Sequence, residues 1–301
     1  MSQAFDSQKA FFYGQFVQAA YDMYKNPQGP DPLKPEPYGI PPSHELGAWI
    51  HMSDFIFDEE KLKFYGIVAH AVNDPDSRII AIRGTEGAIE WLDDAAAIPV
   101  PFRQVPSAGR VVGGFDKIYS TMKVVKRALP GAKALAEGGA PEEFSGSFAE
   151  QLEQLAISRE AERGLPPPTG EVPKRPRRPT IVTGHSLGAA LATLFVMEND
   201  AKRKFDVGSL CTFASPRVGN LQFVHLFNKL PITSWRIVNQ KDVVPKLPPH
   251  IPIFLDYEHV NDAHEFDSAG FAKNNLHCWH ALETYLHSLD NNYALLKECI
   301  P

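Results

Sequence analysis

Apolar positions change their period several times along the chain, and each change marks an element. Residues 180–184, "TIVTG", form an apolar, β-branched run, the pattern of a strand covered on both faces. Residues 187–197, "LGAALATLFVM", are almost wholly apolar and rich in Ala and Leu, which predicts a buried helix directly after that strand. "FYGIVAHAV" and "SRIIAIR", residues 64–72 and 77–83, flank the turn sequence "NDPD" and read as a β-hairpin. The opening stretch reads as an amphipathic helix, and residues 147–163 as another, with Phe148, Leu152 and Leu155 on one face.

Further along, "RVVGGF" predicts a short strand or turn leading into a helix from Asp116 to about Leu129. Residues 209–220, 234–245 and 257–266 supply three more strand-like runs, and residues 278–296 predict a single closing helix. Residues 26–42 are proline-rich and read as an extended connection; residues 164–179, "GLPPPTGEVPKRPRRP", read as a solvated, polyproline-like loop. Strands alternating with helices predict an α/β fold whose central sheet is mainly parallel and covered on both faces, in one domain over residues 1–301.

A content of 44% hydrophobic and 22% charged residues in 301 supports a sizeable core. The net charge of −6, with both signs interspersed, leaves no broad positive field for nucleic acid. The longest apolar run, Leu187 to Met197, falls short of the roughly 18 residues of a membrane span. The first residues lack a basic opening and carry Gln15 and Gln18 in the apolar stretch, so no signal peptide is read there. The expectation is a cytoplasmic protein, or one secreted by a route without a recognisable signal peptide. Three cysteines, Cys211, Cys278 and Cys299, are an odd number, and free thiols in a reducing compartment are expected of them.

Ser186 lies in Gly-x-Ser-x-Gly between the predicted strand and helix. By composition alone about one chain in ten of this length would carry that motif, so its context decides. A strand-to-helix elbow puts the serine on a strained turn, and Gly184 and Gly188 remove side chains that would collide with neighbouring strand and helix. The helix beyond aims backbone N–H groups, the Leu187 N–H first, at any developing oxyanion. A serine hydroxyl needs a histidine base, and the base needs a group that fixes its tautomer. Asp242, between an apolar strand and a proline turn, is placed for the second task. His277, His280 and His287 all satisfy the order Ser, Asp, His, and the residues alone leave that choice open. His185 reads as a packing residue beside the elbow, and Cys278 as a packing residue rather than a nucleophile.

"TGHSLGAALA", "TFASPRVGN", "DVVPKLPP" and "HALETYLH", in that order, resemble the class 3 lipases, a group of fungal triacylglycerol lipases and plant acylhydrolases. The resemblance implies an α/β-hydrolase fold with Ser186 as nucleophile, Asp242 as orienting acid and His280 as base. It also makes Thr85, in "AIRGTEGAIEWLDD", the second oxyanion donor beside Leu187, and residues 86–98 a short helical lid. Glu86, Ile89, Trp91 and Leu92 belong to that lid, whose apolar face would cover the site or meet a lipid–water interface. The implied activity is hydrolysis of acylglycerol esters, with no cofactor or metal. Phospholipase A1 and feruloyl-type esterase are its rivals on the same fold, and a lipase-like binding protein is the rival outside catalysis.

Overall fold

The computed structural model describes residues 4–53, 62–85, 97–128, 144–162, 179–251 and 256–301. Helix α1, Ser7–Lys25, starts at Asp6, whose carboxylate accepts from the Lys9 amide at 3.0 Å and so satisfies one N–H that the first turn leaves unpaired. Its buried positions Ala10, Tyr13, Gly14, Val17 and Tyr21 recur three and four residues apart, one stripe facing the sheet. Strands β1, His44–Ser53, β2, Leu62–Ala71, and β3, Asp74–Ile82, form an antiparallel meander that contains the expected hairpin. The sequence pattern did not reveal β1, because "HELGAWIHMS" lacks two-residue alternation.

Two short strands follow, β4, Pro99–Pro101, and β5, Arg110–Val112, and then α2, Gly113–Tyr119. The helix expected to run to Leu129 stops there. Residues Lys123–Lys126 instead form β6, pairing antiparallel with β1. Val124 and Val125 are β-branched, and Val124 is also tied through its N–H to the Gln151 side chain at 2.9 Å, so pairing overrides the helical pattern. After α3, Phe148–Glu162, come β7, Thr180–His185, and α4, Leu187–Lys202, the predicted strand and buried helix.

The chain continues through β8, Val207–Phe213, β9, Gly219–Asn220, α5, Leu221–Phe227, and β10, Thr233–Asn239. The run at residues 257–266 divides into β11, Tyr257–Glu258, and β12, Ala263–Phe266. The closing helix also divides, into α6, Leu276–His280, and α7, Leu282–Leu289, because Ala281 takes an extended conformation with ψ 132°.

The large sheet runs β12-β10-β8-β7-β3-β2-β1-β6; the strands from β3 to β12 are parallel and the rest antiparallel. Strands β4, β5, β9 and β11 form a small second sheet. Alternation along β3 sends Ile80 and Ile82 to one face and Ile79 and Ala81 to the other. The first face packs on α2, α3 and α4, the second on α1 and α7. Every residue of α4 from Leu187 to Asn199 is buried, and each large apolar side chain there contributes about 1.5–3 kcal/mol by leaving water. Among the described residues no helix is long and apolar enough to cross a membrane.

The cysteines depart from expectation. Cys278 and Cys299 form a disulfide, with Cα atoms 5.2 Å apart, and Cys211 alone is a free, buried thiol. The return of the C-terminal turn onto α6 brings the pair together across 21 residues of sequence, a tertiary contact that no local spacing announces.

Candidate active site

Parallel strands in this sheet end at one edge, and the loops leaving β3, β7 and β10 gather there. Ser186 follows β7 directly and caps α4 with φ 56° and ψ −125°, a conformation that L residues rarely hold and that turns the chain sharply enough to present its side chain. Both motif glycines are required by contact. A Cβ on Gly184 would lie 2.4 Å from the Gly188 carbonyl oxygen, and one on Gly188 would lie 2.2 Å from that of Ile82. Any side chain at either position would push α4 off the sheet.

Asp242 sits three residues past β10 in a turn closed by its own N–H on the Asn239 carbonyl at 3.0 Å. Its Oδ1 accepts from the Val244 N–H at 2.9 Å, and its Oδ2 from the Tyr285 hydroxyl and from His280 Nδ1, both at 2.7 Å. Burial, then the adjacent Asp242 carboxylate, hold the Tyr285 phenol well above its ordinary range, so it stays a donor. Because a carboxylate can only accept, His280 Nδ1 carries its proton toward Asp242, and Nε2 is left to accept from the Ser186 hydroxyl at 2.9 Å. Ser186 and Asp242 are buried to 1% exposure or less, while the His280 side chain keeps 13%.

The break at Ala281 leaves the last three carbonyls of α6 without the usual helical continuation, and each is taken by a side chain. The His277 carbonyl keeps its helical partner, the Ala281 N–H, at 2.9 Å, and the Cys278 carbonyl accepts from the Thr284 hydroxyl at 2.6 Å. Asn239 Nδ2 donates to the Trp279 carbonyl at 2.8 Å, and His185 Nε2 to the His280 carbonyl at 2.9 Å. Satisfied acceptors on both sides of His280 hold its backbone, and so its ring, in place.

Beyond the register Ile82↔Gly184, Gly84 lies against His185 and Ser186. Arg83 is buried, stacks on Tyr24 and Tyr65 with its guanidinium carbon 3.5 and 4.1 Å from the ring centres, and donates to the Gly84 carbonyl at 2.6 Å. A trans peptide points its C=O and N–H in opposite directions, so this contact turns the Thr85 N–H away from Arg83. The buried Thr85 hydroxyl has no hydrogen-bond partner among the described residues. A Cβ on Gly84 would fall 2.8 Å from that of Ser186, so only glycine fits between the two loops.

Of the expected residues, Ser186, Asp242 and His280 meet directly; Leu187 follows the serine as the first residue of α4, and Thr85 follows Gly84, which packs against the serine. His277 points elsewhere, 3.7 Å from Glu298, and His287 contacts the Tyr293 carbonyl. Glu86, Ile89, Trp91 and Leu92, with most of the expected lid, lie outside the described residues, as does nearly all of the Pro/Arg-rich loop. Tyr21, Arg83, Asn239 and Tyr285 were not singled out from sequence. Arg83 and Tyr285 stand inside quoted motifs; Tyr21 has no local signal at all.

The lipase (class 3) family model matches residues 79–251, more than half of the chain. The chain belongs to the class 3 lipase family. Among its relatives, phospholipase A1-II 4 of Oryza sativa subsp. japonica is 29% identical over 226 residues, covering 70% of this chain and 50% of that protein. Phospholipase A1-IIgamma of Arabidopsis thaliana is 38% identical over 122 residues, 36% of this chain and 28% of that one. This class 3 lipase chain thus spans about half the length of the curated relatives it matches over most of its sequence. Its fold is that of a lipase from Rhizopus microsporus var. chinensis, with a TM-score of 0.56 at 18% identity over 88% of this chain and 76% of that one. The Rhizomucor miehei triacylglyceride lipase gives 0.53 at 19% identity over 88% and 83%.

Proposed function

We propose that the protein is a serine carboxylic-ester hydrolase that cleaves acylglycerol esters through an acyl-enzyme. The observation that carries this reading is the placement of the His280 ring, 2.9 Å from the Ser186 hydroxyl on one side and 2.7 Å from the Asp242 carboxylate on the other. As the Ser186 oxygen attacks the ester carbonyl, its proton passes to His280 Nε2, and the imidazolium is stabilised by Asp242. The tetrahedral oxyanion is met by the N–H groups of Leu187, at the positive end of α4, and Thr85. Collapse expels the alcohol, which takes the proton from His280 as it leaves. Water, deprotonated by the same ring, then attacks the acyl-serine and releases the carboxylic acid.

The phospholipase A1 reading keeps every step and changes only the leaving alcohol. It is supported by rice relatives of that name, 27–29% identical over 70% of this chain. Acid release from triolein and from phosphatidylcholine, measured side by side, separates the two. Faster release from triolein is the outcome under the acylglycerol reading; release from phosphatidylcholine alone replaces it with the second. Turnover of both that survives Ser186→Ala overturns the shared mechanism.

A further inference from the structure

We infer that Tyr21, on α1, and His185 are positioning residues that set the oxyanion loop against the His280 turn; this rests on the hydrolase reading above. Three hydrogen bonds form one chain. The Gly84 N–H donates to the Tyr21 hydroxyl at 2.8 Å; that hydroxyl lies 2.8 Å from His185 Nδ1; and His185 Nε2 lies 2.9 Å from the His280 carbonyl.

Proton placement along the chain follows from chemistry. The His280 carbonyl can only accept, so His185 Nε2 carries hydrogen. Burial first, and then the neighbouring His280 ring, hold the His185 imidazole well below its ordinary pKa, so the ring is neutral and Nδ1 accepts. Tyr21 therefore spends its one proton on His185 and offers its lone pair to Gly84. In this arrangement every donor along the three bonds meets an acceptor.

The geometry gives this chain a purpose beyond packing. Gly84 precedes Thr85, whose N–H is one oxyanion donor; His185 precedes Ser186; and the last carbonyl belongs to the base itself. A Cβ on Gly84 would approach the Tyr21 oxygen to 2.7 Å and the Ser186 Cβ to 2.8 Å, so the helix, loop and nucleophile touch at one point. All three parts of the catalytic geometry are thus referenced to one phenol oxygen contributed from 165 residues upstream of the serine. Displacement of reacting groups by about 1 Å costs about a hundredfold in rate, and loss of this oxygen leaves the Gly84 N–H and His185 Nδ1 without their partner.

The test uses the full chain, with active sites counted by a fluorophosphonate so that kcat is expressed per competent serine. On a short-chain p-nitrophenyl ester, Tyr21→Phe is expected to lower kcat about tenfold to a hundredfold with KM unchanged. Tyr13→Phe, on the same helix and outside the chain, leaves kcat as it was. In a His185→Gln background the Tyr21→Phe change adds little further loss, because the two act through one link. A loss of stability alone would lower the number of labelled sites and leave the rate of each untouched. Equal kcat per site in Tyr21→Phe and the parent, or additive losses in the double variant, overturn the inference while the hydrolase reading stands. Failure of Ser186 in the parent to label overturns both.

Discussion

At the residue scale, Asp242 shows how little freedom the site leaves. Its carboxylate is nearly sealed from solvent and accepts from a backbone N–H, a phenol and an imidazole, so only an anion with that shape satisfies all three. An amide in its place presents N–H groups where lone pairs are needed and reverses the His280 tautomer. Asp242→Asn is expected to lower kcat by about 10⁴-fold, the size this exchange costs a Ser-His-Asp site, with the fold retained. Steady-state kinetics beside a circular dichroism spectrum check it, and a loss under tenfold would show that the ring is oriented by something else. The meeting of Ser186 and Asp242 at one site was legible because each sits in a short pattern with a mechanical reason, an elbow or a strand-end turn. The base was not, since His277, His280 and His287 are equivalent to periodicity and only the resemblance separated them. Tyr21 stayed hidden because its role arises from a contact between chain segments that share no local pattern.

At the scale of elements, α6 is the part whose stability depends most on distant groups. It is five residues long, shorter than an isolated helix can hold by itself. Asn275 caps its start through the Cys278 N–H at 2.9 Å, the Cys278–Cys299 bond fixes its middle, and side chains from three other segments take its final carbonyls. Closing a loop of this length contributes about 3 kcal/mol through the unfolded chain. Replacing both cysteines by alanine is expected to lower the thermal midpoint by several degrees and to reduce kcat, since α6 carries His280. A midpoint unchanged in calorimetry would mean that the bond closes a segment already fixed. From sequence these cysteines read as thiols and residues 278–296 as one helix, because neither the disulfide nor the break at Ala281 is encoded by apolar spacing. The same reason explains β6: a stretch with helical spacing was captured by the free edge of β1.

At the scale of the whole molecule, acid sensitivity follows from histidines that fold in neutral. Burial, then Arg236 and Arg217 nearby, bring His259 down to about 3, while its Nε2 donates to the Pro245 carbonyl at 2.7 Å. His185 is lowered as well. An unfolded histidine takes up its proton near pH 6.5, so between there and the folded value the unfolded chain binds a proton that the native one refuses. Stability is therefore full above about pH 6.5 and falls as the pH drops below it. Urea midpoints recorded from pH 7 down to pH 5 should decrease, and His259→Gln should flatten that slope; an identical slope in the variant would place the sensitivity elsewhere. The overall α/β layering was legible from alternating strand and helix patterns, and the central β7-α4 unit most of all, because both are buried on every side. The β2–β3 hairpin was legible too, but β1 and β6 were not, since β1 lacks alternation and β6 is set by pairing with β1 far back along the chain.

In the proposed reaction one hydroxyl, at Ser186, forms the covalent bond to substrate. Peptide mapping by mass spectrometry after exposure to a fluorophosphonate reads this directly. A single adduct on the peptide carrying Ser186, matched by complete loss of esterase activity and slowed when His280 is replaced by alanine, is the predicted result. An enzyme that hydrolyses esters while that peptide stays unmodified would contradict it.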